Sequence, residues 1–80
     1  MAPADLKEQL RGIIAEVIEK EPSEIQDDVL LKDQGVDSMQ AIEIIADIER
    51  RYKLKIERED FKHITTLNSV HAFLTTRLSA

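Results

Sequence analysis

Apolar residues recur at three- and four-residue steps in three stretches of this 80-residue chain, and that spacing restricts the fold to packed helices. In the first stretch Leu6, Leu10, Ile13, Ile14, Val17 and Ile18 make one stripe. Asp5, followed three residues later by Glu8, is a start signal, and Glu21–Pro22 is expected to close the helix, because a residue before proline avoids helical angles. The second stretch runs from Ser38 to Tyr52, with Ala41, Ile44, Ile45, Ile48 and Tyr52 facing inward. Gln40, Glu43, Asp47 and Arg50 line its outer face, and Ile42 falls off the stripe towards solvent. In the third, Thr65 or Thr66 caps a helix carrying Leu67, Val70, Phe73, Leu74 and Leu78. Ile56, Phe61 and Ile64 suggest a short helix near Glu57–Lys62. Residues 20–37 lack a sustained period, and Ile25, Val29, Leu30 and Leu31 are expected to pin them to the core. The reading is all-α: a four-helix bundle with a long first loop and a short third helix, one domain over residues 1–80.

Composition excludes several classes of function. With no cysteine there is no disulfide framework, thiolate metal site or cysteine nucleophile. No apolar run approaches the roughly 20 residues of a membrane span, and a cytoplasmic location is the expectation. Residues 1–40 hold ten Asp/Glu against four Lys/Arg, which argues against nucleic-acid binding. The local basic stretch Arg50, Arg51, Lys53, Lys55, Arg58 and Lys62 reads as helix-end cations and a solvated loop. His63 and His71 are too few for a zinc site, and nothing in the sequence sets either beside a serine as a base. The acidic residues Glu24, Asp27, Asp28 and Asp33 do not have calcium-loop spacing, so no metal is expected.

The candidate site is Ser38, in the run Asp33-Gln34-Gly35-Val36-Asp37-Ser38-Met39. Gly35 permits a backbone angle that other residues resist, and Asp37 or Ser38 can cap the second helix. The dipole at that end favours negative charge, so a phosphate on Ser38 would be stabilised. On local chemistry alone, both residues can equally be plain caps.

The run Gly35-Val36-Asp37-Ser38-Met39, with Ile64-Thr65-Thr66 before the last helix and helices of matching length on either side, resembles the acyl carrier proteins over nearly the whole chain. The resemblance implies that Ser38 takes the 4'-phosphopantetheine arm of coenzyme A from a phosphopantetheinyl transferase. The arm's thiol would hold acyl groups as thioesters for loading and processing enzymes such as ligases, synthases and transferases. It implies a monomeric carrier and no catalysis by the chain itself. Fatty-acid, polyketide and modified-lipid synthesis all remain open, as does aminoacyl or peptidyl cargo. A helical interaction adaptor without a prosthetic group is the alternative from a different class.

Partners are expected at the start of the second helix, on Asp37, Met39, Ile42, Glu43 and Asp47. By position in the family, Leu31, Ile48, Ile56, Phe61, Ile64, Val70 and Phe73 would line an acyl slot, with the Phe61 ring either shortening it or only filling core volume. Three departures from the family stand out. Gln34 replaces a common leucine, which removes an apolar anchor for the loop, and Met39 replaces the leucine after the serine. The outer face of the second helix keeps Glu43, Asp47 and Glu49 but is diluted by Gln40, Arg50 and Arg51, which implies a specialised carrier.

Overall fold

The computed structural model describes residues 5–79. The first stripe forms α1 (Leu6–Ile18), the second α2 (Ser38–Tyr52) and the third α3 (Leu67–Ser79), with a 3-10 segment, Arg58–His63, as the short third helix. Two further 3-10 turns, Pro22–Glu24 and Leu31–Gln34, break up the first loop, and no strand occurs among the described residues. No described helix is long and apolar enough to cross a membrane.

α1 packs against both α2 and α3. Its side chains Leu6, Leu10, Ile13 and Ile14 meet Ile44, Ile45 and Ile48 of α2 and Leu67, Val70 and Leu74 of α3 in one cluster. Ile25, Leu31, Val36 and Ile56 close that cluster from the loops. Leu10, Leu67 and Leu74 have no measurable exposure. The buried apolar set is aliphatic throughout; Phe61 stands 39% exposed, and Tyr52 and Phe73 lie half-buried at the edge. Tyr52 donates its phenol proton to Gln9 Oε1 at 2.7 Å, and burial pushes its pKa upward.

Several helix ends differ from the sequence expectation. Proline does not close α1. The helix ends at Ile18, with Glu19 in the left-handed region at φ 58° and the Lys20 N–H on Ala15 O at 2.9 Å. Pro22 instead opens a 3-10 turn, where its missing N–H costs nothing. Asp5 makes no cap bond to the backbone; its carboxylate accepts from Gln9 Nε2 at 2.9 Å. The short helix is of 3-10 type and starts one residue later than expected. At α3, Thr66 is the capping residue: its Oγ1 accepts the Ser69 N–H at 3.0 Å, and Ser69 Oγ accepts the Thr66 N–H at 2.9 Å.

The long loop is ordered because polar bonds stitch it to the helices. Leu31 N–H donates to Thr65 O at 2.8 Å, and Asn68 N–H donates to Asp27 O at 3.0 Å. The Asp27 carboxylate pairs with Lys7 at 2.9 Å and Arg11 at 2.7 Å, while Arg11 also donates to Ile25 O. The Lys7 ammonium, then the Arg11 guanidinium, hold the Asp27 carboxyl below the usual carboxylate range. A depressed folded pKa contributes stability above the unfolded value and loses it as pH falls through the folded one. Asp27→Asn should therefore melt lower than wild type at neutral pH, with the gap closing as both are acidified below the carboxylate range. A gap that persists unchanged in acid would mean that packing, not the ion pairs, links this loop to α1.

Candidate functional site

Ser38 is reached through a chain of local constraints. Gln34 ends the second 3-10 turn, and Gly35 follows at φ 102°, the left-handed region where a side chain would be strained. Val36 then turns into the core, with its N–H on Leu31 O at 3.1 Å. Asp37 is the cap of α2: Oδ1 accepts the Gln40 N–H at 2.8 Å, and Gln40 Oε1 accepts the Asp37 N–H at 3.1 Å. Of the two candidate caps, Asp37 alone fills that role, leaving Ser38 as the first residue of α2 and exposed. No acidic residue lies in the first turn of α2, so the unpaired N–H groups there keep their attraction for an anion.

Ser38 also lies on the rim of a cavity of about 400 Å³, open to solvent. Leu30, Leu31, Val36, Ala41, Ile44 and Ile64 make it apolar, and Lys32, Asp37 and Thr65 complete the lining. Of the seven residues expected to form an acyl slot, Leu31 and Ile64 border this cavity. Ile48, Ile56 and Val70 are packed in the core instead. Phe73 lines a second, more polar groove of about 510 Å³ between the 3-10 segment and α3. There it stacks on His63 with centroids 6.2 Å apart and lies under the Arg77 guanidinium at 5.3 Å. Phe61 borders neither space, so its ring neither fills the core nor plugs the cavity. The seven do not converge: they divide between this cavity, the core, the second groove and, for Phe61, the surface.

Of the expected docking residues, Asp37, Met39, Ile42 and Glu43 lie at the cap and in the first six residues of α2, and Asp47 lies further along it. Met39 is 72% exposed and Ile42 60%, one helical step apart beside Ser38, with Asp37 and Glu43 also exposed. Asp47 is half-buried and paired with Arg50. Glu49 is turned to the next loop, where its Oε2 accepts the Ile56 N–H at 2.8 Å. Of the three carboxylates on the outer face of α2, Glu43 alone is exposed, so the acidic face is thinner than the sequence implies.

The loss of a leucine anchor at position 34 does not loosen the loop. Gln34 is 8% exposed; its Oε1 accepts the Gln26 N–H at 2.7 Å, and its Nε2 donates to Gln26 O at 3.0 Å and Val29 O at 2.8 Å. A polar clamp stands in place of the apolar anchor. The sequence held one signal for the cavity: Ser38, Ala41 and Ile44 step by three along α2, from an exposed position to a buried one. Among the described residues no group of three or more His, Asp or Glu could hold a metal ion.

The family model described as "Phosphopantetheine attachment site" matches residues 8–74. Polyketide-8 synthase acyl carrier protein 2 of Streptomyces avermitilis is 34% identical over 73 residues, covering 90% of this chain and 84% of that protein. An acyl carrier protein of Exiguobacterium sp. is 35% identical over 66 residues, covering 81% of this chain and 84% of that one. The non-reducing polyketide synthase pkiA of Emericella nidulans is 36% identical over 66 residues, which span 82% of this chain but 3% of the synthase. Among solved structures, the NMR structure of the HMG-ACPI domain from the CurA module of Lyngbya majuscula superimposes with a TM-score of 0.84 at 27% identity, covering 99% of this chain and 87% of that one.

Proposed function

This chain belongs to the phosphopantetheine-binding acyl carrier family, and from that premise we propose that Ser38 is the residue that takes the arm. The observation that carries the reading is the exposed serine at the first position of α2, on the rim of an apolar cavity. The family carries acyl intermediates on phosphopantetheine, which supplies a flexible arm ending in a thiol that holds acyl groups as thioesters. The residues present fit that group. The α2 N-terminus favours the phosphodiester's negative charge, and Asp37, which could repel it, has its Oδ1 committed to the Gln40 N–H. The chain's own contribution is to hold Ser38 at a fixed, solvent-facing turn and to offer a face for enzymes that act on the cargo. A phosphopantetheinyl transferase is the first such partner. Intact mass and peptide mapping after incubation with coenzyme A and that transferase should place a single arm in the peptide bearing Ser38. A chain that gains no arm would sink the reading.

Polyketide cargo is favoured, since carriers and synthases of that kind stand among the relatives and the acidic face of α2 is thin. Docking is assigned to Met39 and Ile42, with Asp37 and Glu43 at the edge and Asp47 held back by Arg50. Exposed apolar side chains beside one free carboxylate suit transient binding, with charge setting the encounter rate. Glu43→Lys should slow loading by partner enzymes, and flatten its salt dependence, without changing helix content. Kinetics that do not move would put docking on another face.

A further inference from the structure

Gln34 is the buried polar side chain of the described core, and all three of its hydrogen bonds go to backbone of the loop that leads to Ser38. They hold Gln26 by both its N–H and its carbonyl, and Val29 by its carbonyl, so the carboxamide fixes the loop's register as well as its position. The Gln34 carbonyl is held in turn by Lys20 Nζ at 3.1 Å, from just past the end of α1. Gly35, Val36 and Asp37 are then the whole span between this clamp and Ser38. An apolar side chain could fill the same volume, but it could not specify which backbone groups meet it, because dispersion contacts lack direction.

We propose that Gln34 is a positioning residue for arm transfer: its carboxamide preorganises the 31–37 turn so that the Ser38 hydroxyl is presented in the geometry the transferase needs. The inference rests on the assignment of Ser38 as the attachment site. In the transfer, Ser38 Oγ bonds to the phosphorus that bears the pantetheine of coenzyme A. The pyrophosphate P–O bond to the adenosine bisphosphate breaks, that leaving group keeps the electron pair, and the hydroxyl proton passes to a base of the transferase. Every atom of that exchange comes from Ser38, coenzyme A and the transferase. Gln34 touches none of it and acts through the turn. Lowering the population of the productive turn lowers the turnover number while leaving the docking face on α2 intact.

Gln34→Glu provides the sharpest test. A carboxylate keeps the acceptor for Gln26 N–H but faces the carbonyls of Gln26 and Val29 with no donor, whereas the protonated acid restores one donor. At pH 8 the variant should take the arm about tenfold more slowly than wild type, in kcat and not in KM. Relative to wild type at each pH, the rate should recover as the solution is acidified and the side chain protonates. Gln34→Leu, with a side chain the family tolerates, keeps helix content and should be slower at every pH, with no recovery. Amide exchange at Gln26 should quicken in Gln34→Leu, which removes the acceptor of that N–H.

Three results would overturn the inference. One is wild-type loading by both variants although exchange at Gln26 quickens in Gln34→Leu. Another is a rate loss equal to the unfolded fraction read from melts. The third is a Gln34→Glu rate ratio that ignores pH. Wild-type protein that gains no arm at Ser38 would overturn the attachment assignment itself, and this inference with it.

Discussion

Ser38→Ala should stay at the mass of the unmodified chain after incubation with coenzyme A and a phosphopantetheinyl transferase, while wild type should be converted completely. The effect is all-or-none because the other serines lack the setting. Ser23 lies inside a three-residue 3-10 turn, which has no α-helix N-terminus behind it to stabilise an anion. Ser69 has its hydroxyl committed, donating to Thr66 O at 2.9 Å and accepting from the Thr65 and Thr66 N–H groups. Ser79 is at the end of α3, where the dipole disfavours an anion. The alanine variant should melt close to wild type, since Asp37 and not Ser38 caps α2. An Ser38→Ala protein that still gains mass would move the attachment site and remove the basis for the docking face.

Ile48→Ala should cost about 2–5 kcal/mol, whereas Phe61→Ala should cost about 1 kcal/mol or less. Size alone would rank them the other way, because a phenyl ring covers more area than an isoleucine. Exposure decides: Ile48 is 1% exposed, inside the cluster joining α1, α2 and α3, while Phe61 is 39% exposed. A domain of this size is stable by only roughly 4–12 kcal/mol, so the isoleucine variant should lose a large fraction of its stability. Urea unfolding of the two variants beside wild type measures both values. The same proteins loaded with a long acyl chain test the slot. Because Phe61 borders neither cavity, loading should shift the melting of wild type and Phe61→Ala equally. A larger shift in the alanine variant would return Phe61 to the role of a plug.

The helices were readable because their signal is local. Leu6, Leu10, Ile13 and Ile14 recur at helical spacing whatever lies opposite them, and all four are buried as that spacing requires. Gly35 and Asp37 were readable for the same reason, since a left-handed turn and a cap each depend on one or two neighbours. Ends set by longer-range or non-glycine devices were not. Glu19 stops α1 in a left-handed conformation that its side chain does not advertise, three residues before the proline.

Gln34 shows where a sequence comparison misleads. In one dimension it is a polar residue at an apolar position. In the fold it is buried and satisfied by Gln26 and Val29, eight and five residues back, whose backbone groups become partners only once the loop has folded over them. The carboxylates of α2 show the same limit. Asp47, Glu49 and Glu43 look alike in the sequence, yet Arg50 takes the first, the Ile56 N–H takes the second, and Glu43 is left exposed. Helical period and the serine's turn were thus determined by residues within a few positions of one another. Which side chains line the cavity and what anchors the loop were decided by contacts between segments apart in the sequence. Such contacts exist only after the helices pack, because burial and hydrogen-bond partnership are properties of position in space.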